Sequence, residues 1–253
     1  MLPLERIGGS SVPSPSRVAS SAAWIGLVAA AAFGIGPALS VTGLVAGFVG
    51  FRIYTFGLLL GLISLLVGLA GLWHTRASAG RPGRARALTG VGIGLILAAG
   101  VGISLGSAGR LPAINDITTN PADPPQFSHA GQLEPNRERD LAYPGPEFAA
   151  QQQTAYPDLE PIRLNVARNA VFEDSLAAAA DLGWEITYRD ADQGLIEATD
   201  TTAIFRFVDD VTIRIRSSGK ITVVDVRSKS RDGQGDLGAN AERIRAFRES
   251  LTE

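Results

Sequence analysis

Between Arg227 and Asn240 the chain gathers the residue types that hold anions: Arg227, Ser228, Lys229, Ser230 and Arg231, then Gly233, Gly235, Asp236 and Asn240. The segment GQGDLG, 233–238, is a literal GxGxxG. In dinucleotide folds those glycines let the backbone close on a pyrophosphate at a helix N-terminus. That chemistry needs a parallel strand–helix–strand unit, with an acid on the next strand about 20 residues further on. Here a helical pattern follows the glycines and no strand comes after it, so a dinucleotide site is rejected. A weaker version survives, in which cations and free N–H groups at the helix start hold some other anionic group. The plainer reading weighs more: Asp236 caps the helix and repels anions, the glycines make the turn, and the arginines pair with local acids. These nine residues are the expected docking surface for a ligand or partner.

Other patterns carry less. GISLG, 102–106, matches the GxSxG nucleophile motif, but it lies in an apolar run with no strand-to-helix elbow. The two histidines, His74 and His129, make neither a triad with a suitably framed serine nor a histidine metal site. Cysteine is absent, which removes thiolate chemistry and cysteine metal ligation. No metal and no cofactor is expected. Asp209 and Asp210 read as a turn between strands and not as an acid/base dyad, since adjacent strand residues point to opposite faces. Glu185, Glu197 and Asp225 are expected to pair with Arg206, Arg214 or Arg227 across a sheet. An enzyme of unrecognised type, using Asp225 and Asp236, is the alternative to a non-enzymatic binding module.

The elements that position these residues are legible downstream of Asn169. NAVFEDSLAAAADLGW predicts a helix capped by Asn169 and stopped by Gly183, burying Phe172, Leu176, Ala179 and Ala180. Strands are predicted at 184–189, 195–200, 203–208, 211–216 and 221–229, the fourth with apolar Val211, Ile213 and Ile215 alternating with polar residues. A last helix follows, with Leu237, Ala241, Ile244, Phe247 and Leu251 at helical spacing and Asp236 as its N-cap. Helix, antiparallel strands and helix make an α+β fold, a two-layer sheet/helix sandwich.

Upstream the composition changes. Residues 18–51, 53–73 and 87–109 carry no Asp, Glu, Lys or Arg. About 20 apolar helical residues cross a bilayer, which predicts three spans near 22–47, 53–73 and 88–107, with Pro37 kinking the first. The first run is too long for a signal-peptide core and reads as an uncleaved helix. Arg76, Arg81, Arg84 and Arg86 fill the second connection, while Arg52 stands alone in the first. The positive-inside rule then puts the 1–21 tail and the second connection in the cytoplasm. The C-terminal half falls on the far side of a bacterial inner membrane, periplasmic or extracellular. Gly90, Gly94, Gly102 and Gly106 form a smooth stripe on the third span, either a homo-oligomer seam or a packing face for the other two spans. The second use is favoured, because those neighbours are already tethered.

Lys and Arg number 7 against one acid before Arg110, a net +6; from Arg110 onward 16 stand against 24 acids, a net −8. An acidic outer half excludes nucleic acid, whose affinity rests on phosphate neutralisation. Nine prolines make 110–163 an extended linker. Its Ile114, Ile117, Phe127, Leu141, Tyr143, Phe148 and Tyr156 supply more apolar surface than a spacer needs, so part of it should wrap along the 164–253 domain.

The stretches INDITTNPADPPQF, LGWEI, GLIEAT, FRFVDDVTIRI and VDVRSKSRDGQGDLGANAERIRAF resemble the bacterial and plastid family known as domain of unknown function 1499, over nearly all of 111–251. The resemblance implies a domain often tied to a membrane and implies no activity. The expectation is an integral membrane protein whose extracytoplasmic domain binds an envelope protein, a lipid or a glycan.

Overall fold

The computed structural model describes residues 14–77, 81–102 and 111–253, together with the helical backbone of 103–108. The chain forms two compact units, Met1–Gly106 and Ser107–Glu253. The first holds helices α1 (Arg17–Val41), α2 (Gly47–His74) and α3 (Arg84–Ala108). All three are long and apolar enough to cross a membrane. Each helix begins upstream of its expected span, because arginines at a helix end can snorkel to the interface without ending the helix. α1 stops at Val41, where Thr42 and Gly43 turn the chain and their N–H groups return to Ala38 and Ser40. Among the described residues no Asp or Glu lies in these helices.

Small residues set how closely the three helices approach. A Cβ on Gly57 would sit 2.6 Å from the Phe33 nitrogen, and one on Gly90 would sit 2.8 Å from Ala22 backbone. Gly94 likewise meets the Gly61 carbonyl. Gly90 and Gly94 therefore pack inside the bundle, whereas a Cβ on Gly102 would meet nothing within 4 Å. Gly106 lies outside the residues whose surroundings are described. The buried Ser64 hydroxyl stands 3.0 Å from the carbonyls of both Ala22 and Gly90, linking α2 to each neighbour. In hydrocarbon, where water offers no alternative partner, such a contact matters.

The second unit is α+β. Its strands are β1 (Asp116–Thr118), β2 (Ile162–Leu164), β3 (Glu185–Asp190), β4 (Leu195–Thr201), β5 (Val208–Ser218) and β6 (Ile221–Ser230). The order is β1-β6-β5-β4-β3, every pair antiparallel, with β2 also paired to β6. Since β5 holds one edge of β6, the two short strands share the other. Helices α5 (Arg168–Asp181) and α6 (Ala239–Thr252) cover one face. There Val211, Ile213, Ile215, Val224 and Val226 meet Phe172, Ile244 and Phe247, all buried. Each such side chain contributes about 1.5–3 kcal/mol of burial.

The other face of the sheet is polar and is covered as well. Residues 119–155, with 3₁₀ turns at Ala130–Gln132 and Glu134–Asn136 and helix α4 (Pro146–Ala155), lie across it. Gln152 of α4 completes the free edge of β1: its amide accepts from Thr118 N–H at 2.9 Å and donates to Thr118 C=O at 2.7 Å.

Three local expectations are corrected. Residues 202–207 form a turn and not a strand; Thr202 N–H donates to Phe207 C=O and Arg206 has φ 54°. Asp209 and Asp210, expected in a turn, lie within β5, where arginines neutralise them from both faces. α5 starts one residue before Asn169, without a side-chain cap, and buries Val171, Phe172, Ser175, Ala178 and Ala179, leaving Ala180 exposed.

Candidate functional site

Strand geometry decides the fate of the run from Arg227 to Ser230. Successive side chains of β6 point to opposite faces, so Arg227 and Lys229 enter the polar face while Ser228 and Ser230 enter the helix-covered face. Four residues adjacent in sequence thus serve two clusters.

On the polar face the centre is Asp116, fully buried. Its Oδ1 accepts from Arg227 Nε at 2.7 Å, and its Oδ2 from Arg227 Nη2 and Lys229 Nζ, both at 2.8 Å. Arg227 also donates to the carbonyls of Pro125 and Leu141, and its guanidinium carbon lies 4.8 Å from the Phe127 ring centroid and 5.5 Å from that of Tyr143. Burial, reinforced by the Asp116 carboxylate, pushes the Tyr143 hydroxyl up to about 12. Alongside, Asp210 accepts from Asn136, Arg139 and Arg231. Asp225 accepts from Arg214, Arg216 and Asn120. Glu197, also fully buried, accepts the N–H groups of Ser128, His129 and Ala130.

On the helix face Arg243 of α6 is the hub. It donates from Nε to Asp200 Oδ2 at 2.6 Å and from Nη1 to Ser228 Oγ and Asn240 Oδ1, and Nη2 lies 2.6 Å from Asp209 Oδ2. Asn240 accepts from the Ser228 hydroxyl at 2.6 Å and donates to Ser230 Oγ at 2.9 Å. Burial raises the Asp209 carboxyl above its ordinary range, although Arg243 and Ser230 pull the other way. A shallow hollow of about 290 Å³, lined by Trp184, Asp200, Glu242 and Arg243, opens beside this cluster. A larger one of about 690 Å³ lies between the 121–126 segment and α4. Its lining, including Pro121, Pro124, Gln126, Tyr143 and Gln153, carries no charge.

The turn supplies the remaining expected residues. Gly238, at φ 91°, occupies the N-cap of α6, and Asp236 acts from two positions earlier. Its carboxylate accepts from Gly238 N–H at 2.9 Å and Asn240 N–H at 3.0 Å. An internal carboxylate therefore holds the helix N-terminus that the GxGxxG reading would offer to a phosphate. Gly233 C=O accepts from Asn115, and Gly235 sits against Ala113 closely enough that a Cβ would stand 3.1 Å from its Cα. Arg231 is half-buried on Asp210, while Gly233 and Gly235 are exposed.

The structure brings Ser228, Ser230 and Asn240 together, and separately joins Arg227 to Lys229. Sequence reasoning missed the partners: Asp116 and Arg139 in the proline-rich segment, and Arg243 on the last helix. The signal for two clusters was the strand period itself, which parts 227 and 229 from 228 and 230. Among the described residues no three His, Asp or Glu side chains converge to hold a metal. His129 stacks on Tyr188, with ring centroids 5.2 Å apart. Compared with known proteins, residues 116–251 match the family described as a protein of unknown function, DUF1499. No curated protein matches the chain.

Proposed function

The chain belongs to the DUF1499 family of proteins of unknown function, a membership that brings no activity with it, and we propose that it is a membrane-anchored protein whose C-terminal domain binds a partner without transforming it. One observation carries this reading. The two acids that the sequence offers for chemistry are committed to donors of the same domain, Asp225 to Arg214 and Arg216 and Asp236 to the N–H groups of Gly238 and Asn240, and so are the buried Asp116, on Arg227 and Lys229, and Glu197, on three backbone N–H groups. Groups held this way specify a rigid surface. The part of 227–240 left for a partner is the turn from Arg231 to Leu237, where Asp232, Gly233, Gln234, Gly235 and Leu237 are exposed.

The alternative, a small-ligand or catalytic site, is favoured by the raised Asp209 carboxyl beside the hollow at Trp184. Against it, that hollow presents Asp200 and Glu242 with one cation, Arg243, already shared among four acceptors. Its field repels the anions that the sequence suggested.

Arg76 and Arg81 between α2 and α3, with Arg84 and Arg86 in the first turn of α3, support a cytoplasmic loop there and an outer C-terminal domain, which makes an envelope protein, lipid or glycan the expected partner. Self-association through α3 would fall to Gly102 and Gly106, since Gly90 and Gly94 are filled by the bundle. A photo-crosslinking residue at Gln234, compared in intact cells with one at Lys220, tests the docking surface. A discrete adduct from 234 and none from 220 is expected. Equal labelling from both positions would remove the turn as the docking surface.

A further inference from the structure

One end of the sheet collects features that internal packing does not explain. Leu237 is 71% exposed, the highest value among large apolar residues of this domain, and Ile204 is 56% exposed. Among the described residues only two that are not glycine have positive φ, Leu237 and Arg206, both at 54°. A γ-branched residue is held there against its steric preference, in a turn that uses Gly233 and Gly238 at its other positive-φ positions. Both sites lie at the same end of the sheet. The 202–207 turn joins β4 to β5, and Arg231 N–H, opening the 231–238 turn, donates to Val208 C=O. The phenyl rings of Phe205 and Phe207, 5.9 Å apart, support the base of the first turn.

The same end receives the chain at its entry into the domain. Asp236 N–H donates to Ile114 C=O, Ser230 N–H donates to Asn115 C=O, and Leu111 stands against Gly238. In the sequence Leu111 comes three residues after Ala108, the last residue of α3, so the chain enters the domain at this rim.

We infer that the rim is a lipid-contact surface, with Leu237 and Ile204 entering the boundary between headgroups and acyl chains. The inference rests on the reading that α1–α3 span a bilayer, and it names the partner of the 231–237 turn. Exposed cation and acid are mixed on the rim, Arg206 in the first turn and Asp232 in the second, so the contact depends on apolar insertion more than on anionic lipid. The Arg206 stem can lie along the interface with its guanidinium in the headgroups.

The chain has no native cysteine, so single-site labelling needs no background substitutions. Full-length protein in phosphatidylcholine–phosphatidylglycerol vesicles would carry a nitroxide at Leu237→Cys, Ile204→Cys, Lys220→Cys or Leu66→Cys, the last on the exposed side of α2. Oxygen partitions into lipid and a nickel chelate into water. The expected result is a several-fold higher oxygen-to-nickel accessibility ratio at 237 and 204 than at 220, approaching that at 66. Water-like ratios at 237 or 204 with a lipid-like ratio at 66 would overturn the lipid contact and leave the anchor standing. Shielding from both reagents at 237 and 204 would mean protein contact, and would overturn it too. A water-like ratio at 66 would remove the anchor itself, and the inference with it.

Discussion

A guanidinium with no exposed surface must find its acceptors inside the protein, and Arg227 does so with four hydrogen bonds and two aromatic faces. Removing one member of such a buried pair leaves an uncompensated charge, which costs about 3–5 kcal/mol. Asp116 serves two cations, so Asp116→Asn should be the most damaging neutralisation on this face. Lys229→Met should cost less, because its side chain keeps 10% exposure and its charge leaves with it. Urea unfolding of the full chain in micelles checks this, followed by Trp184 fluorescence in a Trp24→Phe, Trp73→Phe background. The midpoint should fall furthest for Asp116→Asn. A loss no larger than for Lys229→Met would mean that the Arg227 charge is relieved in another way.

At the scale of elements, the irregular 119–155 layer is held to the sheet by single side chains more than by strand pairing. Glu197 is the clearest such pin, since its carboxylate receives the N–H groups that open the first 3₁₀ turn. Glu197→Gln turns part of that acceptor into a donor facing donors, at about 1–3 kcal/mol. Hydrogen exchange at Ser128–Ala130 should therefore accelerate roughly ten- to a hundredfold, while the β5 and β6 amides keep their protection. Equal acceleration in β5 and β6 would show that Glu197 supports the whole sheet. The β5–β6 hairpin and α6 were legible because Val211, Ile213, Ile215, Ile244 and Phe247 repeat at strand and helix periods. The polar layer was not, because its contacts span 111 residues between Asp116 and Arg227 and no local period encodes them. The 202–207 turn was misread for a related reason. Ile204, Phe205 and Phe207 imitate a strand, while the acids that resemble a turn, Asp209 and Asp210, are neutralised only by residues far away in the chain.

At the scale of the whole molecule, charge is divided between a helical half of net +6 and a C-terminal half of net −8. Within the helical half it is divided again: four arginines lie between Trp73 and Leu88, against Arg52 alone near the other end of α2. Translocating a short loop dense in arginine is disfavoured, whereas acids and long domains cross largely regardless of charge. On the proposed reading of α1–α3 as three crossings, the C-terminal domain lies opposite that loop. A phosphatase active only outside the cytoplasm should be active when fused after Glu253 and inactive when fused between Arg81 and Arg86, with a cytoplasm-dependent fluorescent protein giving the opposite pattern. The reversed pattern would put the domain among cytosolic metabolites. The hollow beside Arg243 would then face nucleotides and other phosphorylated compounds, and the Asp236 carboxylate, which already holds the α6 N-terminus, would be the feature that argues against their binding there.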